Sequence, residues 1–83
     1  MNIVDDKPIE KLYWSIREVA EMFYVSNSLL RYWEEEFDIL HSKKDRKGNR
    51  FYTKEDIATV RLIHSLVKIE MYTLAGARRQ LLK

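Results

Sequence analysis

Arg31 and Tyr32 stand side by side in the stretch SNSLLRYWEEEF, residues 26–37. A guanidinium can bind a phosphate or a guanine edge with paired hydrogen bonds, and a phenol can reach a phosphate oxygen. Ser26, Asn27 and Ser28 add two hydroxyls and an amide just upstream. A helix carrying that set on its N-terminal half is suited to phosphates and base edges. The second cluster is basic: Lys43, Lys44, Arg46, Lys47 and Arg50 crowd around a single Asp45. On a chain whose net charge is only +2, a segregated basic patch is the footprint expected of a phosphate-binding edge. The alternative is a solvated loop.

No other chemistry competes with these clusters. The sequence shows no paired carboxylates, nucleophile–base set or metal-ligand spacing, which argues against an enzyme. His41 and His64 are isolated, and the absence of Cys removes disulfides, thiolates and Cys-based zinc sites. Gly48 and Gly76 are the only glycines, so there is no glycine-rich loop to cradle a cofactor phosphate. No apolar run approaches the ~20 residues that span a bilayer. The opening MNIVDDKPIE lacks the charged-then-apolar order of a signal peptide. The expected location is the cytoplasm, at the nucleoid if the partner is DNA.

The elements that must position these residues read as helices. Eighty-three residues make one small domain, burying about 60–65% of its unfolded surface. Residues 1–12, with Pro8 and mixed charges, read as an N-terminal arm, and 13–83 as the domain proper. Ser15-Ile16-Arg17-Glu18 fits a capping box, with Trp14 and Val19 placed for a hydrophobic staple. Ile16, Val19, Ala20 and Phe23 then form one face of a short helix. Arg17, in its first turn, is a further candidate phosphate contact. After a turn at 24–26, Ser26 caps the second helix, with Leu29, Leu30, Trp33 and Phe37 as its buried stripe. Arg31 could instead pair with Glu34, Glu35 or Glu18. The Glu34–Glu36 run reads as a solvated helix end.

Residues 38–40 and 50–52 read as two short strands around the basic loop 41–49, with Gly48-Asn49 as the turn. Phe51 is expected to anchor this hairpin to the core, with Arg50 and Tyr52 on the other face. Thr53 caps a long helix to about residue 69, and Thr73 a last helix, 74–82, with Leu74, Ala77 and Leu81 inward and Arg78, Arg79 and Lys83 outward. Gly76, which weakens that helix by roughly 1 kcal/mol, suggests that another backbone comes close.

The motifs SIREVAEMF, YVSNSLLRYWEEE, KGNRFYTKEDIATVRLIHSLV and MYTLAGARRQL, in that order, resemble the DNA-binding domain of the mercury-resistance-regulator (MerR) family of bacterial transcription factors. The resemblance covers residues 13–82. It implies a mainly α, winged helix-turn-helix of about four helices with a small two-stranded hairpin wing. It also implies sequence-specific binding of double-stranded DNA, with helix 26–37 in the major groove and wing 41–52 on the backbone. The family's recognition-helix Arg and Tyr fall on Arg31 and Tyr32, its wing Arg on Arg50, and its variable specificity positions on Asn27 and Ser28. With the basic residues and the reading of Tyr52 as a wing contact, the expected DNA-binding set is Arg17, Ser26, Asn27, Ser28, Arg31, Tyr32, Lys43, Lys44, Arg46, Lys47, Arg50 and Tyr52. No cofactor, metal or membrane is implied. Family members pair through a long helix beyond the last residue here, so a homodimer is expected of the longer protein.

This chain departs from the family pattern at three places. Tyr24 stands where Gly is usual, so a rearranged turn is expected there. Asn27 and Ser28 replace the common Pro and Arg or Lys, and Glu70 replaces a Gly before the last helix. Two other functions are compatible with the same outline: a protein-binding adaptor of the co-chaperone modulator type, using Glu34–Glu36 and the unfilled hydrophobic edge near the C-terminus, and an excisionase-like architectural DNA-binding protein.

Overall fold

The computed structural model describes residues 11–82; the expected arm falls almost wholly on residues outside that range. The element order is β1 (Trp14–Ser15), α1 (Ile16–Phe23), α2 (Asn27–Glu36), β2 (Lys43–Lys44), β3 (Arg50–Tyr52), α3 (Lys54–His64), a π-helical segment (Ser65–Ile69) and α4 (Leu74–Leu81). Each α-helix starts where a hydroxyl can accept from an unpaired backbone N–H. Ser15 and Thr53 do so in full capping boxes with Glu18 and Asp56. Ser26 accepts from Leu29 N–H and Thr73 from Gly76 N–H.

The helical stripes close on one core. Val19, Ala20 and Phe23 of α1, Leu30 and Trp33 of α2, and Ile57, Val60 and Ile63 of α3 are buried, with Phe37, Leu40, Tyr52 and Ala77 completing it. Trp33 and Tyr52 are the largest wholly enclosed side chains. His64 packs its ring 5.4 Å from Phe23 and 6.5 Å from Trp33.

The turn between α1 and α2 keeps the left-handed geometry that the family's Gly would adopt. Tyr24 holds φ 56°, ψ 43°, and donates its N–H to the α1 carbonyls. The expected rearrangement does not occur: Tyr24 projects its side chain into solvent, 95% exposed, so the strain stays in the backbone of one residue. Val25, half-buried against the core, fills the angle between the helices.

The wing differs from expectation in strand number and place. It is a three-stranded antiparallel sheet, β1-β3-β2, with Trp14 opposite Tyr52 and Lys43 opposite Phe51. Residues 38–40 are not a strand. Leu40 N–H bonds back to Phe37 C=O at 3.1 Å, and both side chains enter the core. The β-like run is therefore a tight turn between two core plugs, and the first hairpin strand falls at Lys43–Lys44.

The long third helix also changes character. From Ser65 the backbone widens to i→i+5 bonding, seen as Glu70 N–H to Ser65 C=O at 2.8 Å. The left-handed residue of the following link is Met71 (φ 62°), one position beyond Glu70. Gly76 has no foreign backbone near it. A Cβ there would meet Thr73 Oγ1 at 3.2 Å and Tyr72 Cδ2 at 3.5 Å, so what it makes room for is its own helix cap.

Left-handed geometry costs a non-Gly residue roughly 1–2 kcal/mol, part of which Gly returns as extra unfolded-state freedom. Tyr24→Gly is therefore expected to raise the unfolding free energy by about 0.5–1 kcal/mol. Urea unfolding measures this, and an unchanged or lower midpoint at constant slope contradicts it.

Candidate nucleic-acid interface

With its Leu30–Trp33 stripe buried, α2 turns its other face outward. Ser28, Arg31 and Tyr32 are exposed, and Asn27 is half-buried. Among the described residues no ion pair or hydrogen bond engages Arg31: Glu18 is taken by Lys11 and by the capping box. Ser26 uses its oxygen on Leu29 N–H at 3.0 Å, which leaves its O–H proton available to an outside acceptor.

Arg31 opens onto a notch of about 320 Å³, lined by Ser15, Ile16 and Arg17 from the start of α1, Arg31 from α2, and Gly48, Asn49, Arg50 and Phe51 from the wing. Three guanidinium-bearing residues from three separate elements thus border one recess. Arg17 is well exposed and also lies 3.5 Å from Glu21, a weak surface pair.

The wing tip is tied by Asp45. Its carboxylate accepts from the backbone N–H groups of Lys47 at 2.9 Å and Asn49 at 3.0 Å, and from the Asn49 amide at 3.1 Å. Gly48 (φ 87°) closes the turn by donating to Asp45 C=O. The acid inside the basic run therefore shapes the loop. It leaves Lys43, Lys44, Arg46 and Lys47 exposed around the knot.

Two expectations about the wing strand are corrected. Arg50 and Tyr52 do share a face, but it is the inner one. Tyr52 is fully buried, and its phenol donates to Glu34 Oε2 at 2.8 Å. Enclosure and the adjacent Glu34 carboxylate raise its pKa above the usual 10.0, and with no exposed surface Tyr52 has nothing to offer an outside partner. Phe51 turns to the opposite side, where with Tyr13, Lys43, Lys44 and Asp45 it lines a shallow apolar pocket. A phenol can enter the core because a carboxylate there accepts its hydrogen bond.

That carboxylate corrects a third expectation. Glu34 is no solvated helix end, since its side chain is only 11% exposed. Oε1 accepts from Ser42 N–H at 3.1 Å and Ser42 O–H at 2.8 Å. Oε2 takes Tyr52 O–H and lies 3.1 Å from Arg50 Nε. The Arg50 contact is one of charge, because the buried Nε–H is not directed at a hydrogen-bond acceptor. Glu36 is also engaged. Arg78 of α4, expected to point outward, donates from Nε to Glu36 C=O at 2.7 Å and from Nη2 to its carboxylate at 2.5 Å. One sequence signal could have exposed Glu34: it falls four residues after Leu30 and three before Phe37, on the edge of the apolar stripe, where an acid requires partners.

Among the described residues no group of three or more His, Asp or Glu side chains gathers as a metal site, and no helix is long and apolar enough to cross a membrane. Two helices at a tight turn, the second presenting polar residues beside a small sheet, define a winged helix-turn-helix domain. The profile described as the MerR HTH family regulatory protein matches residues 14–83, and the chain belongs to that family. The description is that of a helix-turn-helix regulatory protein and not of an enzyme.

Among solved structures, a MerR-family transcriptional regulator from Bacillus cereus is 30% identical, with TM-score 0.72 over 87% of this chain and 53% of its own. HiNmlR, a MerR-family regulator lacking the sensor domain and bound to promoter DNA, is 25% identical, with TM-score 0.66 over 82% of this chain and 51% of its own. This chain thus spans about half the length of each. No curated protein matches.

The Asn49 N–H, with the Asn49 amide and the Lys47 N–H, holds the Asp45 carboxyl below its usual 3.8. A depressed carboxylate stabilises above the unfolded-state pKa and ceases to as pH falls through the folded-state value. The wing-tip knot is therefore expected to be intact above about pH 4 and to open at lower pH. Amide resonances of Lys47 and Asn49, followed by NMR, should titrate with a midpoint below 3.8; a midpoint at or above it contradicts the assignment.

Proposed function

We propose that this chain is the DNA-binding domain of a bacterial MerR-like transcriptional regulator, recognising double-stranded DNA by sequence. Helix 26–37 enters the major groove, and wing 41–52 lies on the flanking backbone. The observation that carries this reading is the notch in which Arg31, Arg17 and the wing tip meet. Because the proposed recognition helix and the wing border the same recess, one duplex can touch both together. The unpaired state of Arg31 and the exposed lysines of the tip supply the charge.

Asn27 and Ser28, at the tip of the helix, read base edges, and Arg31 takes a guanine edge or a phosphate. Tyr32, partly exposed, donates to a phosphate. Ser26 and Arg17 add backbone contacts, as do Lys43, Lys44, Arg46 and Lys47. Arg50 contributes from the rim of the notch, while Tyr52 drops out of the contact set. The promoter DNA bound by HiNmlR supports the choice of partner. The doubled length of both relatives fits a longer protein that pairs as a homodimer through a segment beyond this domain, acting in the cytoplasm at the nucleoid.

The adaptor reading is less favoured, since Glu34 and Glu36 of its acidic run are engaged in internal contacts. Selection of bound sites from a random duplex pool tests specificity directly. Arg31→Ala is expected to weaken binding to a selected site by about 1–3 kcal/mol. Lys47→Ala should weaken all sites alike and reduce the log–log salt slope by about 1. Equal affinity of wild type and Arg31→Ala across salt concentrations contradicts the assignment.

A further inference from the structure

We propose that Glu34 is a positioning residue for DNA binding: it fixes the wing to the recognition helix and holds Arg50 at the rim of the notch shared with Arg31. The inference rests on the DNA-binding reading above and adds to it a residue that touches no DNA.

One carboxylate on α2 reaches both flanks of the wing. Oε1 takes both donors of Ser42, immediately before β2. Oε2 takes the Tyr52 phenol and faces Arg50 Nε, both on β3. No other side chain among the described residues joins α2 to the wing by hydrogen bonds. The spacing between helix and sheet therefore depends on four contacts converging on two oxygens.

The charge has a separate role from the hydrogen bonds. Ser42 and Tyr52 would be satisfied by any oxygen acceptor, but only an anion holds the Arg50 guanidinium. Arg50 is drawn in to 18% exposure at its side chain, yet still borders the notch with Arg31. An arginine already held in place loses less side-chain freedom when it meets a phosphate. Glu34 thus trades some of the local positive potential for a fixed geometry.

The two roles separate by mutation. Glu34→Gln keeps the shape and an oxygen for Ser42, removes the charge, and turns an NH2 toward Tyr52, whose hydroxyl can accept in its place. Binding to a mixed-sequence duplex over a salt series is compared for wild type, Glu34→Gln, Arg50→Ala, the double variant and Tyr52→Phe. Glu34→Gln is expected to weaken low-salt binding on the order of tenfold and to lower the salt slope by about 1, with no further loss in the Arg50→Ala background. Tyr52→Phe should lower the urea midpoint and leave the slope at the wild-type value.

Tighter binding by Glu34→Gln would mean that the acid only masks Arg50, and overturns the proposal. So does an unchanged slope, or losses that add to those of Arg50→Ala. If Glu34→Gln fails to fold by circular dichroism, Arg50→Lys decides: it keeps the charge without the Nε that faces Glu34, and full retention of slope and affinity overturns the proposal. A wild type that binds no duplex at low salt overturns the DNA-binding reading itself, whereas wild-type binding with an unaltered Glu34→Gln slope overturns this proposal alone.

Discussion

Helix α2 can be held at a fixed attitude because its far side is wedged into the core by Trp33. That indole is wholly enclosed, flanked by Leu30 and Phe37 and approached by the His64 ring from α3. A side chain of that size in a close-packed interior permits little rotation of the helix about its axis. The direction in which Ser28, Arg31 and Tyr32 project is therefore set from behind. In a domain this small there is little else to set it, and the other elements serve mainly to build the socket. The capping boxes of α1 and α3 fix where those helices begin, and hence which residues line it.

Apolar packing alone would leave the wing free to tilt, since strands of two and three residues bury little. Polar contacts take over at that boundary. β1 extends the sheet, so that Trp14 lies across from Tyr52 and the chain entering α1 is hydrogen-bonded to the wing. Asp45 folds the tip, and Glu34 joins sheet to helix. Tyr52 belongs to both regimes: its ring is core and its hydroxyl belongs to the polar join.

The helical part of this architecture was legible in the sequence because helical spacing repeats. Ile16 through Phe23 and Leu29 through Phe37 each show a stripe, and a hydroxyl-bearing residue stands before each helix. The wing was legible in place and not in detail. Strands of two residues offer no period to count, so the Phe51-Tyr52 phase rested on aromatic character that both residues share. What decides it is Glu34, eighteen positions away in the chain, and a pairing across such a distance leaves no local trace. The same holds for Arg78 and Glu36, forty-two apart. Asp38-Ile39-Leu40 misled for the converse reason: apolar residues at a chain reversal look the same whether they pair in a ladder or fill a hole. Of the candidate contact residues, the ones on α2 could be placed on its outer face from the stripe alone. Tyr52 could not.

The widened turn at Ser65–Ile69 acts as a shim. A plain α-helix advances by about 100° of rotation per residue, and here the last turn of the third helix is wider, of π type, before the chain leaves at Glu70. The azimuth at which the chain leaves α3 for Thr73 is thus set by this segment together with the left-handed Met71 that follows it. Beyond that link, the Arg78 guanidinium meets the carbonyl end of α2. The exit from α3 and the outer brace on the foot of α2 are in this way joined through one short stretch of chain.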